Sequence, residues 1–153
     1  TRERTRAAGD RYGTYINIYG NRPEGVRYQA GFLTWKLGLD NVMFWAWEPA
    51  SAACGESRCF LRDWEASREA FDDLKYLEAL DRALAAGGGP PAAREAAQRT
   101  LDRLRDEIAD RVKEIGRVDG GSGRWIDGPK SWPLARYDEA RREVARAIAS
   151  LQP

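Results

Sequence analysis

Between Tyr15 and Tyr19 apolar and polar positions alternate, with Ile16 and Ile18 set among Tyr15, Asn17 and Tyr19. That two-residue period is the mark of a half-covered strand. The Ile pair suits packing beneath helices, and the polar-tipped set suits a cleft or a barrel interior. From Val42 to Trp47 nearly every residue is apolar or aromatic, which predicts a strand buried on both faces, stopped by Pro49. Between the two the period lengthens. Tyr28, Phe32 and Trp35 stand at i, i+4 and i+7 of a predicted helix over 26–37, with Gly38 placed to end it. Gly31 inside that helix costs about 1 kcal/mol relative to Ala and so marks a close helix–strand contact. Strand, helix and strand in this order form a right-handed βαβ unit.

Longer helical stripes follow. Trp64, Phe71, Leu74, Leu77, Leu80 and Leu84 mark one face of a predicted helix over 61–86, and GGGPP (87–91) separates it from the next. There Ala97, Leu101, Leu104, Ile108, Val112 and Ile115 continue the phase. A Gly-rich loop carrying Trp125 and Trp132 then leads to a last helix with Tyr137, Val144, Ile148 and Leu151. The stripes read as helix packing, and the two loop tryptophans as packing beneath the helical hairpin. Glu95 with Arg99, Glu107 with Arg111 and Asp138 with Arg142 decorate solvent sides at i, i+4. The arginine-rich residues 1–12 read as the tail of a preceding element or a frayed terminus. The expected division is therefore two strand–helix units over 1–86 and an appended helical hairpin over 87–153.

Composition narrows the chemistry. The 25 basic and 24 acidic side chains leave a net charge of +1, so neither nucleic acid nor an anionic membrane surface is an expected partner. No apolar run approaches the ~20 residues of a membrane helix, and no signal-peptide core is present. The chain begins at Thr1 and its one methionine is Met43, which predicts a processed product or a piece of something longer. Histidine is absent. That excludes Ser-His-Asp and Cys-His catalysis and His-ligated zinc, and leaves acid–base work to carboxylates, Tyr or Lys. Cys54 and Cys59 lack companions for a metal site; a disulfide and a pair of thiols both remain open. No metal and no cofactor are expected.

A βαβ unit places ligand chemistry at the carboxyl ends of its strands. The candidates there are Tyr19, Asn21, Arg22, Trp45, Trp47 and Glu48. Indoles beside a carboxylate suit a sugar, whose ring stacks and whose hydroxyls need acceptors. Glu48, the only carboxylate at a predicted strand end, is the one catalytic candidate; a capping role at the same place is the alternative. For Trp45 and Trp47 the alternative is core packing, and for Asn21 a turn. Arg68 and Asp73 suit a structural pair or an anchor of the helix to the barrel bottom. The adjacent acids Asp72-Asp73, Asp106-Glu107 and Asp138-Glu139 sit inside helical patterns, where neighbours diverge and face solvent.

Two parallel strands by themselves are barely stable in water. The expected architecture is therefore α/β, the terminal βαβα section of a (β/α)8 TIM barrel followed by an antiparallel helical hairpin, with the remainder of the barrel upstream. A resemblance points the same way. Arg27, Gly31, Trp35, Lys36 and Gly38, then Trp45 and Ala46, then Arg68, Asp73, Tyr76 and Leu77 match three successive motifs. In these the chain resembles the carboxyl-terminal part of glycoside hydrolase family 123, over about 15–84. Ala70 stands where the pattern carries Gly, and Asp40-Asn41 where Asp-Gly is common.

The resemblance implies a parent that acts on N-acetylhexosaminides or related glycans by substrate assistance, with an Asp-Glu catalytic pair at a strand end. That pair is not recognisable here and is expected upstream. On this reading the chain supplies sugar contacts, its partner is carbohydrate, and export of the parent is favoured. The rival reading is a non-catalytic helical interaction module, its strands adding to a partner sheet.

Overall fold

The computed structural model describes residues 2–17, 23–45, 58–118 and 125–152, with only the backbone described at 2, 17, 23, 45, 58–63, 112, 117, 118 and 125. Helix α1 (Arg2–Ala7) leads to strand β1 (Gly13–Asn17). The crossover begins as α2 (Pro23–Arg27), widens into a π-helical stretch (Tyr28–Leu33) and closes as α3 (Thr34–Leu37). Pro at the first helical position suits α2, because the missing N–H has no partner there anyway. Gly38 ends α3 at φ 55°, the left-handed cap foreseen from the sequence. Strand β2 (Asn41–Trp45) then pairs in parallel with β1, Gly13 opposite Asn41 through Asn17 opposite Trp45. Glycine suits position 13, since a Cβ there would stand 2.8 Å from the Asn41 carbonyl oxygen.

Helices α4 (Arg58–Ala85) and α5 (Pro91–Glu107) follow. A short turn, α6 (Val112–Ile115), opens an antiparallel hairpin of β3 (Gly116–Val118) and β4 (Trp125–Asp127), and α7 (Leu134–Ser150) closes the fold.

Two packed clusters hold these elements. A small one puts Ile16 against Val26, Ala30, Ala66 and Ala70, with Val42 and Phe44 at its margin. It joins one face of the parallel sheet to the crossover and α4. The large one lies among helices: Tyr28, Phe32 and Trp35 meet Leu77 and Leu80 of α4, Leu101 and Leu104 of α5, and Tyr137 and Val144 of α7. Its centre is aromatic, with Trp132 edge-on to Phe32 at 4.9 Å and to Tyr28 at 5.3 Å. The loop before α5 seats against the end of α7, where a Cβ on Gly89 would lie 2.8 Å from Leu151 Cα.

The barrel expectation is overturned. The chain is mostly helical, and among the described residues the parallel sheet has two strands only. Barrel strands are covered on both faces, whereas Tyr15 is 66% and Met43 62% exposed on the side of the sheet away from Ile16. For the same reason β2 is not the doubly buried strand its composition suggests. The larger core also forms between helices, away from the sheet. The expected helical hairpin is interrupted as well. Ile108 leaves the helical conformation at ψ 140°, so Val112 and Ile115 belong to α6, and a β-hairpin stands before α7.

Candidate functional site

The helix that follows β1 carries Glu24 in its first turn. Glu24 lines a cleft of about 390 Å3 together with Asp127 at the end of β4, Ser131 and Trp132 beyond it, and Leu134 and Tyr137 of α7. The walls are fixed by backbone. The Tyr137 hydroxyl donates to the Glu24 carbonyl oxygen at 2.9 Å, joining α7 to α2. Gly128 N–H donates to the Ile115 carbonyl at 2.8 Å. A Cβ at Gly128 would stand 2.3 Å from the Glu114 carbonyl oxygen, so only glycine allows the strand end to come so close.

Beneath the cleft lies a buried ion cluster. Arg27 Nε donates to Asp73 Oδ2 at 2.6 Å, and Arg141 Nε donates to Asp73 Oδ1 at 2.7 Å. Arg27 also donates through Nη1 to Asp138 at 3.0 Å. Arg27 is one helical turn beyond Glu24, and Arg141 one turn beyond Tyr137. One carboxylate on α4 therefore holds both walls of the cleft. Burial pushes the Asp73 carboxyl up against the pull of the two guanidiniums.

The aromatic hydroxyls are equally enclosed. Burial carries Tyr137 far above its ordinary value and Tyr28 to about 12. Tyr28 Oη accepts the Ala109 N–H at 2.7 Å. The Arg27 and Arg136 guanidiniums lie 5.1 Å from the ring centres of Tyr137 and Trp132 respectively, close enough for cation–π attraction.

Glu24 Oε2 differs from these. It is buried and has no hydrogen-bond partner among the described residues. A larger hollow of about 530 Å3, between β2 and α4, is apolar through Val42, Phe44, Trp64 and Phe71. Its charged rim is already committed: Arg68 binds Glu65, Glu69 and Asp72, and Lys75 binds Asp72. Among the described residues the buried side-chain atoms without a hydrogen-bond partner are Glu24 Oε2 and Arg136 Nη2, the latter ion-paired with Glu107 at 2.7 Å.

Of the residues foreseen from the sequence, Trp45 closes β2 opposite Asn17. Tyr19, Asn21, Arg22, Trp47 and Glu48 lie outside the described residues, as does Cys54. Arg68 and Asp73 do not pair with each other; Arg68 is exposed among its helical neighbours, and Asp73 turns inward to Arg27 and Arg141. Asp73 is accordingly no solvent-facing helical acid. Trp132 packs, as expected of a loop tryptophan, but against Tyr28, Phe32 and Tyr137. Sequence reasoning passed over Glu24, which sits in the turn-like run GNRPEG, three residues before its helical neighbour Arg27. The available signal was Pro23, a helix-opening residue followed directly by an acid.

The fold and cleft define a mostly helical chain with a small parallel sheet and an acidic, partly aromatic hollow. No family model matches it, and no curated protein or solved structure does so either.

Proposed function

We propose that this chain is the carboxyl-terminal section of a carbohydrate-active protein of glycoside hydrolase type, and that it binds sugar without cleaving it. The observation that carries this reading is the meeting of motif positions from separate segments. Arg27 of the first motif pairs with Asp73 of the third. Gly31 of the first lies so near the α4 backbone that a Cβ would stand 2.8 Å from the Ala70 carbonyl oxygen. The lack of histidine, and of a recognisable adjacent acid pair at a strand end in the sequence, supports a bond-breaking centre outside this chain.

The rival reading, an interaction module, draws on the exposed sheet face at Tyr15 and Met43. Isothermal titration of the intact protein with N-acetylglucosamine and its oligomers separates the two. Binding weakened about tenfold or more by Trp47→Ala, equivalent to about 1.4 kcal/mol, is the expected result. No heat from any sugar would leave the interaction module standing. Hydrolysis of aryl N-acetylhexosaminides by this chain alone should be undetectable.

A further inference from the structure

Helix α1 carries no apolar side chain larger than alanine, and from Glu3 to Gly13 no residue is buried. Six residues are too few for a helix to persist in water by itself, and most helical stability in proteins comes from packing an apolar face. With no such face, α1 depends on polar ties to the body. We propose that residues 2–11 form a strap latched by the Arg6–Asp40 charge pair along one side of a hollow, and that loss of this charge contact opens it. The inference stands apart from the carbohydrate reading.

The latch is built around Asp40, in the turn between α3 and β2. Arg6 donates through Nη2 to Asp40 Oδ1 and, at 3.2 Å, to the carbonyl oxygen of Gly38, the residue that caps α3. A guanidinium suits that place, since the last carbonyls of a helix lack partners within it. The second carboxylate oxygen, Oδ2, accepts the Tyr12 N–H at 2.9 Å. The Asp40 N–H donates in turn to the Tyr12 carbonyl oxygen at 2.7 Å. One side chain thus holds both the strap and the entry to β1. Between the two, Gly9 adopts φ 80° and a Cβ there would meet nothing, so the bend behind α1 is open to solvent.

What the strap borders is a hollow of about 580 Å3. Arg6 and Arg11 line one side of it, and Trp35, Leu74 and Asp81 line another. That far side is fixed without the strap. Trp35 belongs to the large core, and its indole N–H donates to Asp81, which also accepts from Arg105 at 3.2 Å. Opening would therefore move one wall and leave the other standing. The Arg6 side chain is 46% exposed, so dissolved ions reach the pair. Exposed ion pairs stabilise little and are screened once the Debye length falls to about 3 Å, as it does near 1 M salt.

The test is amide hydrogen exchange on the full chain, read at Ala8, Gly9 and Asp10, whose N–H groups donate within the strap to Arg4, Arg6 and Thr5. Rates are compared with a free peptide of residues 1–12 in the same buffer. In dilute buffer these three amides should exchange about three- to tenfold more slowly than in the peptide. Sodium chloride at 1 M, and Arg6→Gln at low salt, should each remove that protection while Leu77 and Leu80 of α4 stay protected. Asp40→Asn, which keeps every arginine, should speed tryptic cleavage after Arg4 and Arg6 by a similar factor. Protection that survives both salt and Arg6→Gln would overturn the latch, because the strap would then be held by packing. Peptide-like exchange in dilute buffer would overturn it too, as would an equal loss of protection at Leu77 and Leu80, the mark of general loosening.

Discussion

Arg27 and Asp73, 46 residues apart in sequence, form a hydrogen-bonded ion pair in which the carboxylate is wholly buried and the guanidinium nearly so. Arg141 reaches the same carboxylate from α7. A buried pair gains little over well-packed apolar residues, because dehydrating the charges offsets their attraction. Breaking it is another matter, since the surviving charge is left uncompensated.

Asp73→Ala should therefore cost about 3–5 kcal/mol by chemical denaturation. Replacing all three residues together, as Arg27→Met, Asp73→Leu and Arg141→Met, should cost less than that single change. A triple variant less stable than Asp73→Ala would show the cluster to be a net source of stability, contrary to this account.

Gly31→Ala should destabilise by about 1–3 kcal/mol, as overpacking does. The obstructing atom is the Ala70 carbonyl oxygen, so Ala70→Gly removes nothing that blocks the new methyl. Thermal melts of the single and double variants should show no rescue. Full recovery in the double variant would mean that α4 approaches the crossover through side chains instead of backbone.

Tyr28 makes stability depend on alkaline pH. Burial raises its folded value from 10.0 to about 12, so the folded state holds the phenolic proton longer than the unfolded state does. Stability is then full below pH 10.0 and declines as pH rises toward about 12, with a slope of up to about 1.4 kcal/mol per pH unit from this group. Tyr28→Phe should flatten that decline in denaturant titrations, though Tyr137, also raised, keeps part of it. At neutral pH the same variant should lose about 1–3 kcal/mol, because the buried Ala109 N–H loses its acceptor. An unchanged alkaline slope would place the Tyr28 hydroxyl in water.

Periodicity reveals this fold where large apolar side chains mark the inner face. Tyr28, Phe32 and Trp35 do so, and all three are buried. The strand–helix–strand order and its parallel pairing follow from the same pattern. On α4 the rule holds for Leu77 and Leu80, which are buried, and fails in the first half of the helix. Trp64 and Phe71 are the conspicuous residues and lie exposed, while Ala66, Ala70 and Asp73 are buried. Close approach to the crossover demands small side chains, and a buried acid demands arginines from distant segments. Ala66, Ala70 and Asp73 keep the helical period that Leu77 and Leu80 continue, but without large apolar side chains to mark it.

The β-hairpin is hidden for a different reason. Each strand has three residues, and Arg117 and Asp127 break any alternation. Glu24 escapes notice because a single unpaired acceptor depends on what α7 and the hairpin bring beside it. Trp132 and Tyr137 are more than a hundred positions away.

The large aromatic cluster takes residues from both sides of the Gly-rich connection between α4 and α5: Tyr28, Phe32 and Leu77 from before it, Leu101, Tyr137 and Val144 from after. The portion before it keeps only the small cluster around Ile16 and Ala70 for itself, and the main interior belongs to neither. A polypeptide severed at that connection is thus a candidate for fragment complementation, each piece folding only as its counterpart supplies the other half of one shared interior.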